Sequence, residues 1–166
     1  MRTDAPEHRD LARRRAIVAL SAVGAASMVP PSLLQLGVVR DLPDPNIRWF
    51  GLPFSSKKVN LSKDAFVLGV RDAPLALAGF VANVPLAVAG GEDRATSNPW
   101  LPIAAALEAL GEAIGAAVFF AKMPRKERAW CPYCVVAAFA SFAVFALTFP
   151  EGLRAGVHLL RRRAQG

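Results

Sequence analysis

The two cysteines of this 166-residue chain lie close together, in the tetrad Cys131-Pro132-Tyr133-Cys134. A long apolar run, residues 135–149, follows the tetrad, so we expect the pair at the N-terminus of a helix. Unpaired backbone N–H groups and the helix dipole favour a thiolate at such a position. Pro132 suits the first helical turn, because its missing N–H would have no partner there. The C-x-x-C spacing therefore predicts thiol–disulfide redox chemistry.

Two other interpretations of the cysteine pair stay open. A structural zinc site needs about four ligands, and besides the cysteines the sequence offers only His8 and His158, near its opposite ends. Two buried, inert thiols are the stronger alternative, because free cysteine often behaves as a small hydrophobic residue. We favour redox chemistry because both cysteines of the chain are used for this one spacing.

The composition indicates an integral membrane protein. Apolar residues make up 54% of the chain and are concentrated in four long runs, with a mean hydropathy of +0.32. The length suits one domain. The net charge of +7 does not indicate nucleic acid, because arginines cluster beside apolar runs at 13–15 and 161–163. Basic clusters in that position suit anionic lipid headgroups, so we expect membrane lipid as a partner and no nucleic-acid binding.

The four apolar runs predict four membrane-spanning helices. They are residues 16–39, 73–90, 99–121 and 131–149. The first run can cross a bilayer with some tilt. It continues well past a possible cleavage site at 24–26, which favours a retained span over a secretory signal peptide. Four spans place segment 40–72 and the cysteine pair on one side. Lysine and arginine are divided equally between the two sides, so charge alone does not fix the orientation.

Segment 40–72 is polar but contains apolar side chains that do not suit a free loop. They include Phe50, Leu52, Phe54 and Phe66. We expect this segment to lie over the thiols as a lid. The alternative is an interfacial loop whose aromatic residues contact lipid headgroups. Ser62 predicts the N-cap of a short helix over residues 62–68.

Two carboxylates lie inside the third apolar run. Glu108 and Glu112 are four residues apart and therefore share one face of a helix. Gly111 and Gly115 form a G-x-x-x-G step, which permits close contact with another helix. Carboxylates inside a membrane are costly and often functional, so a proton-handling role is one interpretation. We favour the other, in which both carboxylates turn to a polar bundle interior or pair with an arginine.

Three motifs together resemble the vitamin K epoxide reductase family. They are WCPYC at 130–134 before an apolar helix, SSKKVNLS at 55–62, and LGVRDAPL at 68–75. The resemblance implies an all-α integral membrane four-helix bundle over residues 14–150, with a long loop between helices 1 and 2. Basic tails, 1–13 and 151–166, flank this domain. The resemblance also implies a multi-pass protein of the cell membrane with its active site on the extracytoplasmic face.

The resemblance also implies an activity. In that family the C-x-x-C pair exchanges electrons with a quinone bound among the helices. Carried over, Cys131 and Cys134 are the catalytic pair, and Cys134 faces the quinone. Ser62 and Asp72 are polar contacts of the quinone, Asp72 standing where the family usually has asparagine, and Ala138 stands where some members have tyrosine. Quinone is then a substrate, and no metal is expected.

One departure from the family concerns the partner. Members carry a second cysteine pair on the long loop, which relays electrons to or from a thioredoxin-like protein. Here the position of one loop cysteine is occupied by Ser56, and its upstream counterpart is absent too. Either a partner dithiol exchanges with Cys131 directly, or the chain is a non-enzymatic membrane protein with a structural or inert cysteine pair. We favour a thiol–quinone oxidoreductase.

Overall fold

The structure, a computed structural model, describes residues 6–67 and 69–164 and is mostly helical. Its elements in chain order are α1 (Pro6–Gln35), β1 (Arg48–Trp49), β2 (Leu52–Pro53), α2 (Ser56–Asn60), β3 (Phe66–Val67), β4 (Val70–Arg71), α3 (Asp72–Val88), α4 (Arg94–Ser97), α5 (Trp100–Lys122), a π-helical turn (Met123–Glu127) and α6 (Pro132–Ala164). The strands form two short antiparallel hairpins, β1–β2 and β3–β4, both within the lid (residues 40–72).

The long helices include three that can cross a membrane by length and composition. These segments are Asp10–Gln35, Trp100–Glu127 and Pro132–Ala164, while α3 is a shorter apolar helix of 17 residues. The prediction of a multi-pass membrane protein is confirmed to this extent. Helix α1 packs against α3 and α6, and α5 packs against α6. Helix α3 also contacts α5, but less extensively than the helices of the other three pairs contact each other, so the packing is loosest between α3 and α5.

Small residues set the distance between neighbouring helices. Gly24 of α1 lies against the buried ring of Phe80 in α3, and a Cβ atom at Gly24 would overlap that ring. Gly152 of α6 similarly lies against Ala106 and the Pro102 carbonyl of α5. Close approach through small residues is typical of helices packed in a membrane. Gly111 and Gly115 do not act in this way: a Cβ atom at either would meet open space, so the close helix contact that this step permits is not made there.

A charged network joins the helices at the end of the bundle opposite the cysteines, which we call the far end. Arg94 is 1% exposed and pairs bidentately with Glu151 of α6, at 2.8 and 2.9 Å. Its other guanidinium nitrogen donates to the carbonyls of Leu86 and Ala89, at 2.6 and 2.7 Å, which satisfies acceptors at the C-terminus of α3. Arg14 of α1 also donates to Glu151, at 2.5 Å. One carboxylate therefore ties α1, α4 and α6 together.

This network explains why α6 continues past Pro150. The sequence predicts an end of the fourth helix at Phe149, but α6 continues through Pro150 to Ala164. A proline inside a helix removes one backbone hydrogen bond. Here the residues that follow it are held by the ion pairs of Glu151 and by the packing of Gly152 on α5. Tertiary contacts therefore outweigh the local cost of the proline.

The lid folds differently from its sequence prediction. A helix over residues 62–68 is wrong for its described part, since the backbone forms turns after residue 60 and a strand at 66–67; residue 68 lies outside the described residues. The short helix is instead α2, where Ser55 rather than Ser62 is the N-cap, its Oγ accepting from the Lys58 N–H at 3.4 Å. Gly69, with φ +84°, permits the tight turn between β3 and β4.

We predict that Arg94→Ala destabilises the bundle strongly. The substitution leaves α3 carbonyls without their donor and removes one of the two cations paired with the buried Glu151, so the free energy of unfolding should fall by about 3 kcal/mol. Denaturant unfolding in detergent micelles would measure this. The matched control is Arg161→Ala, which removes an exposed arginine near the C-terminus of α6. Equal stabilities of the two variants would contradict a structural role for the network.

Candidate active site

The cysteine pair stands where the sequence predicts it, at the start of α6. Cys131 immediately precedes Pro132, the first residue of the helix, and forms a disulfide with Cys134, their Cα atoms being 5.2 Å apart. The Cys134 N–H points at the Cys131 Sγ, 3.2 Å away. Backbone N–H groups at a helix N-terminus stabilise negative charge on such a sulfur when the pair is reduced. The local geometry therefore suits thiol–disulfide exchange.

The two sulfurs face different surroundings. Cys131 is fully buried beneath the lid, while Cys134 is half-buried and lines a cavity between the helices. Of the two cysteines, only Cys134 lines the cavity, whereas Cys131 is covered by the lid.

Two polar side chains of α2 contact the cysteines from the lid. Asn60, 1% exposed, donates through Nδ2 to the Cys131 Sγ at 3.3 Å, and its Oδ1 lies 3.6 Å from the Cys134 Sγ. The Ser56 Oγ lies 3.8 Å from the Cys131 Sγ. A donor aimed at a sulfur favours the thiolate, because hydrogen bonds to the charged form stabilise it. Asn60 was not among the predicted site residues, although it lies within the SSKKVNLS motif.

Backbone pairing fixes the lid directly above the cysteines. Trp130 donates from its N–H to the Pro53 carbonyl at 2.9 Å and accepts from the Ser55 N–H at 2.8 Å. The Trp130 indole N–H donates to the Trp49 carbonyl at 2.9 Å. The rings of Trp49, Trp130 and Phe120 pack together, with centroids 4.6 to 6.5 Å apart. This aromatic cluster excludes water from the lid side of Cys131.

Side-chain contacts join parts of the lid to each other and to the helices beneath it. Ser56 donates to the Asp44 carboxylate from its N–H at 2.8 Å and from its hydroxyl at 2.6 Å. The Tyr133 hydroxyl donates to the Pro43 carbonyl at 3.1 Å. Lys126 pairs with Asp64 at 2.9 Å, and this hydrogen bond lowers the pKa of the exposed Asp64 carboxyl. The lid is thus bonded to the π-helical turn through Lys126 and to α6 through Tyr133.

The cavity has a volume of about 540 Å³ and lies mainly between α3, α5 and α6. Ser62, Asp72 and Cys134 all line it at the cysteine end, together with Ala138. The structure therefore brings three of the four predicted site residues to one cavity, while Cys131 lies beside it under the lid. Most of the remaining wall is apolar, including Phe80 and Phe119. Such a site suits a flat, apolar ring with a few polar contacts.

Asp72 owes its position to a residue that sequence reasoning missed. Gln35, the last residue of α1, donates to the Asp72 carboxylate at 2.6 Å and to the Asn60 carbonyl at 2.9 Å. Its side-chain oxygen accepts from the Ala73 N–H at 3.1 Å. A single buried amide thus joins α1, α2 and the start of α3. No sequence motif marks Gln35, since its role exists only when three separate segments meet.

The two carboxylates of α5 line the same cavity, nearer the middle of the bundle. Glu112 accepts from the Asn83 amide at 2.7 Å and from the Ser141 hydroxyl at 3.2 Å. Neither Glu108 nor Glu112 pairs with an arginine among residues 6–67 and 69–164. In the same described part of the chain, no group of three or more potential ligands is placed to hold a metal ion.

Comparison with known proteins identifies one family. The sequence model of the vitamin K epoxide reductase family matches residues 15–149. No curated protein and no solved structure matches the chain. The matched region covers most of the chain and contains the cysteine pair, the lid and every residue named above as lining the cavity.

We predict that Ser56→Cys forms a disulfide with Cys131. The Ser56 Oγ lies 3.8 Å from the Cys131 Sγ, so a sulfur at this position would need only a small adjustment to bond. Peptide mapping by mass spectrometry under non-reducing conditions, after mild oxidation of the reduced protein, would detect the new link. Ser97→Cys, exposed at the far end, should give no link to Cys131. The same result for both variants would mean that the lid does not lie on Cys131.

Proposed function

Because the chain belongs to the vitamin K epoxide reductase family, we propose that it is a membrane thiol–quinone oxidoreductase. It passes electrons between a partner dithiol, the Cys131 and Cys134 pair, and a quinone bound in the cavity. The observation that carries this proposal is the position of the disulfide. Cys134 lines an apolar cavity of about 540 Å³, while Cys131 is fully buried under the lid.

In the membrane, the proposed architecture is a four-helix bundle in which α3 is a span in addition to α1, α5 and α6. A helix of 17 residues is roughly 26 Å long, slightly less than the hydrocarbon core of about 30 Å. Its packing on α1 supports this assignment. We place the protein in the cell membrane with the lid and the cysteines on the extracytoplasmic face, an oxidising environment in which a disulfide persists.

Ser62 and Asp72 are the proposed polar contacts of the quinone at the cysteine end. Both line the cavity beside Cys134, where a hydroxyl and a carboxyl can hydrogen-bond a ring oxygen or its reduced form. When the reduced pair acts on a quinone, the thiols lose two electrons and two protons and become the disulfide. The quinone gains both and leaves as the hydroquinone, so the reaction balances without a metal.

A thioredoxin-like partner is proposed to act on Cys131. With Ser56 in the lid instead of a relay cysteine, the partner's thiolate must attack the Cys131 sulfur itself. That attack forms a mixed disulfide and releases the Cys134 thiolate into the cavity. A second thiol of the partner then resolves the mixed disulfide and frees Cys131. Because Cys131 is fully buried, the lid has to move before this exchange.

A second candidate function has an observation of its own. Ser56 occupies the position of the family's loop cysteine and donates to Asp44 at 2.6 Å, which joins two segments of the lid beside the disulfide. A lid that never opened would leave the pair as a structural disulfide in a non-enzymatic membrane protein. Such a protein would show no change in the redox state of its cysteines when quinone is added.

We predict that quinone oxidises the reduced pair in one turnover. Protein reduced with dithiothreitol and freed of it would receive a short-chain soluble benzoquinone, and alkylation mass shifts would count the remaining thiols. The wild type should lose both thiols and form one equivalent of hydroquinone. Cys131→Ser and Cys134→Ser should each keep their single thiol and form none, because one thiol cannot close the disulfide. Wild-type thiols that stay reduced would refute the oxidoreductase proposal.

We predict that Ser62→Ala weakens quinone binding. Loss of one hydrogen bond to the ring oxygen corresponds to about 1 kcal/mol, so the half-saturating quinone concentration should rise about fivefold. The rate of the single turnover at increasing quinone concentrations gives this value. Ser97→Ala, on the exposed far end, should match the wild type. An unchanged half-saturating concentration in Ser62→Ala would remove Ser62 from the binding site.

A further inference from the structure

Two carboxylates stand in the cavity wall, and no lysine or arginine of the described part of the chain forms an ion pair with either of them. Glu108 and Glu112 project from successive turns of α5 and both line the cavity. Glu112 is anchored from two other helices, since Asn83 of α3 donates to one of its oxygens at 2.7 Å and Ser141 of α6 donates to the other at 3.2 Å. Asn83 and Ser141 are both 3% exposed. The Asn83 amide N–H suits an ionised Glu112, which can only accept, while the single hydroxyl proton of Ser141 is shared with the Ala137 carbonyl at 3.1 Å.

Glu108 differs from its neighbour because one of its oxygens has no partner. The Oε2 atom is buried, and no described group donates to it or accepts from it. Unpartnered polar atoms are rare in protein interiors and need an explanation such as a ligand or a catalytic role. The Oε1 atom lies close to Gly79, where an added Cβ atom would approach it to 3.3 Å. The absence of a side chain at Gly79 leaves room for this carboxyl beside α3.

The depth of the carboxylates relative to the cysteines is set by α6. Ser141, which binds Glu112, lies seven residues beyond Cys134 on that helix, a rise of about 10 Å. A ring placed between them has one oxygen near Cys134, Ser62 and Asp72 and the other directed towards the carboxylates. Its two oxygens therefore need proton donors at opposite ends of the cavity.

Resting on the function proposed above, we propose that Glu108 is the proton donor and acceptor for the quinone oxygen that faces away from the cysteines. Glu112, which accepts from the Asn83 amide, keeps the proton on Glu108, because two adjacent carboxylates in an apolar cavity do not both ionise readily. Glu108 is then a catalytic residue, since it contacts the reacting oxygen, and Glu112 is a positioning residue.

Protons and electrons balance in this scheme. During quinone reduction the dithiol supplies two electrons and closes the disulfide. One thiol proton goes to the ring oxygen at the cysteine end, and Glu108 gives a proton to the other oxygen. The second thiol proton leaves to water at the cavity mouth, and Glu108 recovers a proton from water after the hydroquinone departs. Oxidation of a hydroquinone runs through the same steps in reverse.

Other charged groups around the cavity lie nearer its mouth. Among the described lining residues, the remaining ionisable side chains are Asp64, Asp72, Lys122, Glu127 and Cys134. All of them belong to the lid, to the start of α3 or α6, to the end of α5, or to the π-helical turn that follows α5. At the level of Glu108, α1 and α3 contribute only neutral side chains to this cavity, and α6 contributes Ser141.

The test is the single-turnover oxidation of the reduced pair by soluble benzoquinone, measured across pH. Glu108→Gln should slow it about 100-fold at the wild-type optimum, within the range for general acid catalysis. It should also abolish the fall in rate at alkaline pH, because that fall reports loss of the Glu108 proton. Glu112→Gln should shift the pH at which this alkaline fall in rate occurs, without abolishing the fall. Glu108→Asp, which keeps a carboxyl, should recover part of the rate.

Two controls separate this inference from the function on which it rests. Oxidation of the same pair by a small soluble disulfide needs no cavity proton, so Glu108→Gln should leave its rate unchanged; this also shows that the variant is folded. Glu92→Gln, exposed in the far-end turn, should behave as the wild type with both oxidants. Quinone oxidation in Glu108→Gln with wild-type rate and pH profile would overturn the role of Glu108 alone. Wild-type protein inert to quinone would overturn both proposals.

Discussion

The disulfide at the start of α6 is the constraint on which the rest of the site depends. Its two sulfurs are one helical turn apart, so the helix presents Cys131 to the lid and Cys134 to the cavity. No other pair of groups in the described chain spans these two compartments and can change its redox state. Electrons that move between a partner outside and a ring inside must therefore pass through this one bond. Asn60 touches both sulfurs and keeps their orientation fixed.

Polar contacts at the far end hold the helices together and leave room for the cavity nearer the cysteine end of the bundle. Lipid supplies no hydrophobic force between helices, so their packing relies on small residues and buried polar pairs. Here Arg94 and Glu151 fix the end of α3 against α6, while Gly24 brings α1 onto Phe80. These contacts hold α3 against α1 and tie its C-terminal end to α6 through Arg94. Its contact with α5 can then stay loose, and the cavity occupies the space between them.

The sequence carries the long helices and the cysteine site more clearly than the contacts between segments. Apolar runs and the C-x-x-C spacing predict α5, α6 and the pair correctly, because these depend on local pattern. The extension of α6 past Pro150 depends on an arginine 57 residues away, which no local pattern contains. Gln35 and Asn60 were missed for the same reason, since Gln35 acts only where α1, α2 and α3 meet, and Asn60 only where α2 meets the cysteine pair. Gly111 and Gly115 match a packing motif but line a cavity instead.

The lid connects the two halves of the proposed reaction. Its α2 segment covers Cys131 through Ser56 and Asn60, and the following residues, including Ser62, complete the cavity wall beside Cys134. Because these residues are nearly contiguous, the lid cannot uncover Cys131 for a partner without also moving Ser62 away from the ring. Partner exchange and quinone chemistry then belong to different positions of the lid. In the proposed reaction, a quinone bound through Ser62 would favour the closed position and protect the disulfide from exchange until the ring has left.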